Sequence, residues 1–592
     1  MSLRVGADTG GTFTDLVGSD GRIVKVLSTP DDPGRGVFAG LSELDPRREA
    51  AALAHGTTVA TNALLERRGA RVALVATRGF ADVIEIGRQD RPSLYDFWSD
   101  RPLPLVDRDR RFEIDGRIDA SGAELRPLGE VPAMPSDVEA VAVCLLHADL
   151  ASNHEREVAN ELRRRGLDVT ASHEVSPEFR EYERTVTTVV NAYLRPACRR
   201  YLAELDDLVA DVTVLTSAGG LVPVAQGAEL PAALLLSGPA GGVRAAGLAG
   251  LEAGFPDAVT FDMGGTSTDV CLVEGGEPGG AAQREVAGLP LRLPSLAVHT
   301  IGAGGGSIAA LDPGGALSVG PRSAGAVPGP VCYGRGGTEP TVTDADLCLG
   351  RIPPGAVLPG IGRLDVRAAG VAIKAAGLTA EGVLAVVDAA MTRAVRRITI
   401  ERGIDPRGLA LIAFGGAGPL HACAIAEELD MAAVVVPPRA GVLSAVGLLG
   451  APRQVDLVRS WGRPDDQRGV EAGLRALASE ARTRLGAEAS VVTSVDCRYR
   501  GQSHELTVTS IEAFPGEHVR RNGYAPMDVP VEVVALRARA WTPSPVDIAA
   551  LPVPERRAVD GPAVVVEPDC TVWIPAGWRA SVTAGGSWVV RR

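Results

Sequence analysis

Residues 8–15 read DTGGTFTD and residues 262–269 read DMGGTSTD, with Asp, Gly, Gly, Thr, Thr and Asp in the same places. Each octapeptide follows a short apolar run (3–7; 258–261) and leads into a second one (16–18; 270–273) that stops at Asp20-Gly21 or Gly275-Gly276. Strand, Gly-Thr turn, strand predicts a β-hairpin in each case. Paired glycines let the backbone turn tightly and bring N–H groups close to an anion. This makes Gly10, Gly11, Gly264 and Gly265 candidate phosphate binders, with Thr12, Thr14, Thr266 and Thr268 adding hydroxyl donors. An aspartate beside a polyphosphate is repelled unless a cation lies between them. Asp8 and Asp262, at the turn mouths, are therefore the expected Mg²⁺ partners, directly or through water, and the expected catalytic carboxylates. Two such hairpins facing each other would clamp one polyphosphate from two lobes.

Further glycine clusters follow in chain order. Residues 409–421 read LALIAFGGAGPLH: an apolar strand ends at Gly415 and Gly416, and Pro419 opens a helix running to 429. Glycines there let a flat ring or a ribose lie on the backbone. The stretch IGAGGGS at 301–307, with Gly304 and Gly305, and SGPAGG at 237–242 offer two more places for a phosphate.

Composition removes other classes. With 60 basic against 73 acidic residues the net charge is −13, and aromatics are only 4%. Neither a basic nucleic-acid footprint nor a stacking platform fits. The lysines are Lys25 and Lys374 alone, and without any GK[ST] there is no P-loop. Eight scattered cysteines form no C-x-x-C pair, as in a reduced cytoplasmic protein. No signal peptide is expected at the N-terminus, and no apolar run approaches the roughly 18 residues of a membrane helix.

The order DTGGTFTD, DMGGTSTD, FGGAG resembles the actin-like ATPase superfamily. More closely, the chain resembles the hydantoinase A / 5-oxoprolinase family. The resemblance rests on HGTTVATNALLERRGARVALVATRGFADVIEIGRQ (55–89), HEVSPEFREYERTVTTVVNAYLRP (173–196) and SGPAGGVRAAG (237–247). It continues through HTIGAGGGSIA (299–309), GPRSAGAVPGPVCYGRGGTEPTVTDADLCLGR (320–351), AFGGAGPLHA (413–422) and RYRGQSHEL (498–506). It implies an α/β, two-lobed actin-like ATPase with ribonuclease H-like lobes and a smaller β-rich C-terminal domain. It also implies ATP and Mg²⁺ as cofactors, phosphorylation and opening of a cyclic amide such as a hydantoin or 5-oxoproline, and a B-type partner chain. Ketone carboxylases use the same chemistry, and a non-catalytic nucleotide switch is a third reading. Three places depart from the family pattern: Ser217-Ala218-Gly219-Gly220, Asp388-Ala389-Ala390-Met391 and Asn522-Gly523-Tyr524. They bear on substrate identity and lie outside the hairpins.

Along the chain, residues 1–175 are expected to form the first lobe and 176–455 the second. A polar boundary is expected at 453–470 and a β-rich domain at 488–592, the latter as the docking element for the partner. A helix over 177–210 should break at Pro196, with Glu181, Glu183 and Arg184 as a solvated face. In the compact turn His55-Gly56-Thr57-Thr58, His55, Thr57 and Thr58 are substrate candidates. Arg88, Asp344 and Asp346 are candidates to line the cleft, Arg88 as a substrate contact.

Overall fold

A computed structural model describes residues 2–29 and 32–592; Met1, Pro30 and Asp31 lie outside it. Its two lobes repeat one topology. In the first, Leu3–Thr9 pairs antiparallel with Phe13–Gly18 and parallel with Ala50–Gly56, which pairs parallel with Val212–Leu215. In the second, Ala258–Met263 pairs antiparallel with Thr268–Glu274 and parallel with Ala410–Phe414, which pairs parallel with Ala433–Val436. Ala410–Phe414 and Ala433–Val436 are buried throughout, as unbroken apolar runs in a sheet covered on both faces must be.

The lobe boundaries differ from those expected at 175 and 455. Helix Glu181–Asp206 and strand Val212–Leu215 share the first lobe's core, and the second lobe begins at helix Gly238–Glu252. Instead of a polar boundary, Arg453–Ser460 is a strand of the first sheet, reached through Leu221–Pro223. The C-terminal part is β-rich, but its strands do not make one sheet. Ser490–Tyr499, Leu506–Val508 and Val531–Thr542 extend the first sheet and, with helix Val470–Leu485, enclose a core of their own. Val559–Asp560, Arg579–Val582 and Trp588–Arg591 complete the second sheet beyond Ala433–Val436. Strand content is local, whereas the edge that a strand joins is decided by which unpaired row of N–H and C=O groups it meets. Deleting 488–592 therefore strips both sheets and is no clean test of docking.

A parallel four-stranded sheet is inserted in the first lobe, built from Asp168–Ala171, Ala140–Cys144, Val72–Thr77 and Arg111–Ile114. Val72, Leu74 and Ala76 face the core shared with helix Glu181–Asp206, and Ala73 and Val75 face the other side. That helix runs through Pro196 unbroken. An interior proline costs about 3 kcal/mol, and the buried face over Thr185–Leu194 outweighs it. Of the expected solvated face, Glu181 is exposed, whereas Glu183 and Arg184 are buried. Arg184 is 1% exposed, binds Asp149 at 2.6 Å and donates to the carbonyls of Glu178 and Leu145.

The lobes meet where helix Gly238–Glu252, on the second sheet, crosses helix Leu443–Gly450, which lies against the first hairpin. A Cβ at Gly447 would fall 1.9 Å from the carbonyl oxygen of Gly241, so only glycine permits this approach. No single helix among the described residues is long and apolar enough to cross a membrane.

Candidate functional site

The hairpin registers are equivalent: Asp8 stands opposite Asp15, and Asp262 opposite Asp269. Both turns close alike, with the Gly10 amide donating to the Phe13 carbonyl at 3.0 Å and the Gly264 amide to Ser267 at 3.1 Å. The tips face each other across the lobes. A Cβ at Gly265 would lie 2.6 Å from Thr12 Oγ1, and one at Gly11 would lie 3.4 Å from Thr266 Oγ1. Among the described residues, the amides of Gly11, Thr12, Gly265 and Thr266 donate to no protein acceptor. Four backbone donors at the facing tips are thus without a protein partner, as an anion-binding nest requires.

Behind the tips the third strand of each lobe extends the row. Lys25, paired in register with Asp15, holds it at 2.7 Å, and Thr300, paired with Asp269, donates its hydroxyl to it. Asp8 and Asp262 keep a little solvent-accessible surface, yet protein packs closely around both. Burial pushes Asp8 up to about 8, with Asp15 adding to the rise and Lys25 opposing it. Burial raises Asp262 well above the usual carboxylate range, helped by Asp269, Asp8 and Asp15 and opposed by the Ser444 hydroxyl. Asp269 is pushed to about 6 by burial against the Thr300 hydrogen bond. Asp15 is raised by burial against the pull of Lys25. Four carboxylates and one ammonium thus stand behind the two tips, with Asp15 acting on Asp8, and Asp269, Asp8 and Asp15 acting on Asp262. Carboxylate oxygens are the donors Mg²⁺ takes, and Asp8 and Asp262, each opposite its partner Asp15 or Asp269, would hold it directly or through water.

Several expected binders have other partners. Thr14 and Thr268 are fully buried; Thr14 Oγ1 lies 3.2 Å from Ser28 Oγ, and Thr268 donates to the Ala303 carbonyl at 2.7 Å. Gly304 donates to Ser307 Oγ, and Gly305 and Gly306 donate to the carbonyls of Gly264 and Gly265. That loop braces the second hairpin, and the amides of Gly304 and Gly305 are not spare for a phosphate. Gly415 and Gly416 separate into two roles. Gly415 has φ +80°, and a Cβ there would sit 2.4 Å from Asp262 Oδ1, whereas Gly416 is exposed with open space above it.

His55 is a core residue and not a substrate contact. Its ring bridges the Ala7 carbonyl at 2.9 Å and the Tyr201 hydroxyl at 2.7 Å, and burial pushes it down to about 4, so it is neutral. Thr57 is buried and accepts from the Val59 amide, while Thr58 is half-buried at the start of helix Val59–Leu65. Arg88 is exposed and forks onto Glu183 at 2.8 and 2.6 Å. Asp344 caps helix Val342–Cys348 in a capping box with Thr341. Cys332 is buried, and burial raises its thiol, so it is no nucleophile.

Asp346 belongs to a buried cluster behind the Gly416 ledge. His421, on helix Gly418–Glu428, lies 2.6 Å from Asp388 and 3.2 Å from Asp346. Burial lowers its pKa, but the two carboxylates prevail and push it up to about 10. A raised histidine contributes stability that is complete below its unfolded value near 6.5 and is lost as pH rises through about 10. His421→Gln leaves Asp346 and Asp388 with only Arg351, 4.0 Å from each, and is expected to cost up to about 3–5 kcal/mol in urea unfolding at pH 7. An unchanged midpoint would show that the cluster holds no charge.

The chain matches the family model described as hydantoinase/oxoprolinase over residues 184–455 and that of the hydantoinase/oxoprolinase N-terminal region over 4–166. It is 34% identical to caprolactamase subunit alpha of Pseudomonas jessenii, over 98% of each chain. It is 36% identical to 5-oxoprolinase 1 of Arabidopsis thaliana, over 75% of this chain but 41% of that one. The crystal structure of the ATP-dependent caprolactamase from Pseudomonas jessenii superposes with a TM-score of 0.83 at 31% identity, covering 99% of both chains. A nucleotide-free structure of acetone carboxylase superposes with a TM-score of 0.78 at 25% identity, covering 100% of this chain and 99% of that one. The pair of equivalent hairpins and the matched segments on either side of them thus lead to one assignment: the chain belongs to the hydantoinase/oxoprolinase family.

Proposed function

We propose that this chain is the ATP-binding subunit of an ATP-dependent cyclic-amide hydrolase that acts with a B-type partner. The observation that carries this is the pair of facing Gly-Thr tips, whose unpartnered amides stand in front of equivalently registered aspartates. A lactam or hydantoin ring is a resonance-stabilised amide and a poor electrophile. Its carbonyl oxygen attacks the γ-phosphorus as the bond to the ADP oxygen breaks, giving an O-phosphorylated imidate. Water adds to the ring carbon, the C–N bond breaks with the nitrogen taking up a proton, and hydrolysis of the acyl phosphate leaves a carboxylate and inorganic phosphate. The chain's part is to position the γ-phosphoryl group and neutralise its charge. The tip amides cradle phosphate oxygens, the Gly416 ledge accepts the adenosine, and Asp262 orients the attacking oxygen. Asp8 and Asp262 would hold Mg²⁺, which when bound would supply charge compensation for the phosphate oxygens.

The lactam class is favoured because the caprolactamase structure shares 31% of its sequence with this chain and the acetone carboxylase structure 25%, both over nearly the whole length. The acetone carboxylase likeness keeps enol phosphorylation of a ketone as the second reading. The test is ADP release by the chain with and without a B-type chain, over a panel of lactams, hydantoins and ketones. Release stimulated by a cyclic amide only when both chains are present is expected. Ring opening by this chain alone at the same rate would overturn the division of labour, and stimulation by ketones alone would replace the substrate class.

A further inference from the structure

The segment 87–105 crosses the surface of the first lobe without regular structure, and it carries an apolar cluster that the fold does not use. Tyr95, Phe97 and Trp98 are 93%, 83% and 92% exposed, and Leu94 and Leu103 are similarly bare. In a chain with 4% aromatic residues, three of them at full exposure within four positions demand an explanation. The segment is not a loose strand. Arg101 donates to the carbonyls of Glu85, Ile86 and Asp90, and Arg67 donates to the Leu103 carbonyl at 2.9 Å. At the tip, Ser93 Oγ accepts from the amides of Tyr95 and Asp96, and Asp96 accepts from Trp98. The aromatic knob is held in shape before anything binds it, which lowers the ordering cost of association.

We infer that this knob is the docking surface for the B-type partner chain, an inference that rests on the function proposed above. Three aromatic side chains offer on the order of 500 Å², most of the roughly 800 Å² that each side of a standard interface buries. The composition is that of binding hot spots, aromatics with arginines around them. Arg88, Arg91 and Arg101 are balanced by Asp90, Asp96 and Asp100, so there is no cationic excess for a lipid surface. The choice of occupant follows from length. In Arabidopsis 5-oxoprolinase 1 the region matched to this chain is 41% of one continuous polypeptide. Where the halves are separate chains, a noncovalent surface has to replace that covalent link.

The test uses the full-length chain and the B-type hydantoinase chain encoded nearest to it in the same genome. The triple variant Tyr95→Ser, Phe97→Ser, Trp98→Ser should weaken binding of that chain at least a hundredfold, with ADP affinity unchanged within twofold. Met527→Ser, at another fully exposed apolar residue, should leave both unchanged. In the wild type, iodide quenching of Trp98 fluorescence should fall when the partner is added. Wild-type affinity in the triple variant overturns the inference. So does failure of the wild-type chain to bind, or a homodimer that the triple variant converts to monomer, which would assign the knob to a second copy. A complex that forms through the knob but opens no cyclic amide leaves the docking surface standing and overturns the proposed function instead.

Discussion

Asp8→Asn and Asp262→Asn are each expected to abolish ATP turnover while the protein stays folded. Losing a carboxylate that positions the γ-phosphoryl charge should cost at least a hundredfold in rate, comparable to the roughly 2.7–4 kcal/mol lost with an oxyanion-hole donor. The fold should not suffer, because burial already disfavours the charged carboxylate at both positions and an amide of the same shape carries no charge. The pH dependence gives the sign. Asp8 in the folded chain is pushed up to about 8, far above its unfolded value. A raised carboxyl contributes stability that is complete below the unfolded pKa near 4 and is lost as pH rises through about 8. Without divalent cation, the wild-type Tm should therefore fall between pH 4 and 8, and Asp8→Asn should flatten that fall. Added Mg²⁺ should raise the wild-type Tm more at pH 8 than at pH 5. A lower Tm with turnover preserved in the Asn variants would assign these aspartates to structure alone.

Gly416→Val should cost at least tenfold in ADP affinity with Tm unchanged, whereas Gly415→Val should lower Tm outright. The contrast lies in the backbone. Gly415 sits at φ +80°, where a β-branched residue is strained, and its Cβ would strike Asp262 and the Met263 carbonyl. A loss of binding in that variant would confound ledge and fold. Gly416 is exposed and its Cβ would meet nothing, so a valine there changes only the surface available to a ring. Calorimetric titration with ADP reads the first effect and a thermal melt the second. Unchanged affinity in Gly416→Val would reduce FGGAG to a packing turn.

The hairpins were legible because their information is local. A turn flanked by two apolar runs specifies its own pairing, and counting outward from Gly11 and Thr12 places Asp15 opposite Asp8. Asp15 and Asp269 were written in the octapeptides, yet their part in the acid cluster emerges only once the two tips face each other. Lys25 enters through a third strand, and Ser444 from a helix far along the chain, with no spacing to announce either. Residue type misled at His55, Thr14 and Thr268. Polar side chains near a glycine turn suit a ligand and a buried hydrogen bond equally, and burial decides between them. In REYERT, Glu181 is solvated as its charge suggests, but charge periodicity cannot reveal that Asp149 and two carbonyls wait in the core for Arg184. The divisions 1–175 and 176–455 run close to the matched family segments 4–166 and 184–455, but the packed lobes cross them, since the edge strands come from distant parts of the chain.

That shared edge has a consequence for synthesis. The first lobe's sheet breaks off at Leu221–Pro223 and resumes only at Arg453. At about 5–20 residues per second, the ribosome needs on the order of ten seconds or more to deliver the missing neighbour. Throughout that interval the nascent lobe shows an open strand edge, while the whole hairpin-bearing core of the second lobe emerges beside it. The chain is thus most exposed to mispairing when it is roughly half made, and a chaperone that shields that edge would find its client there.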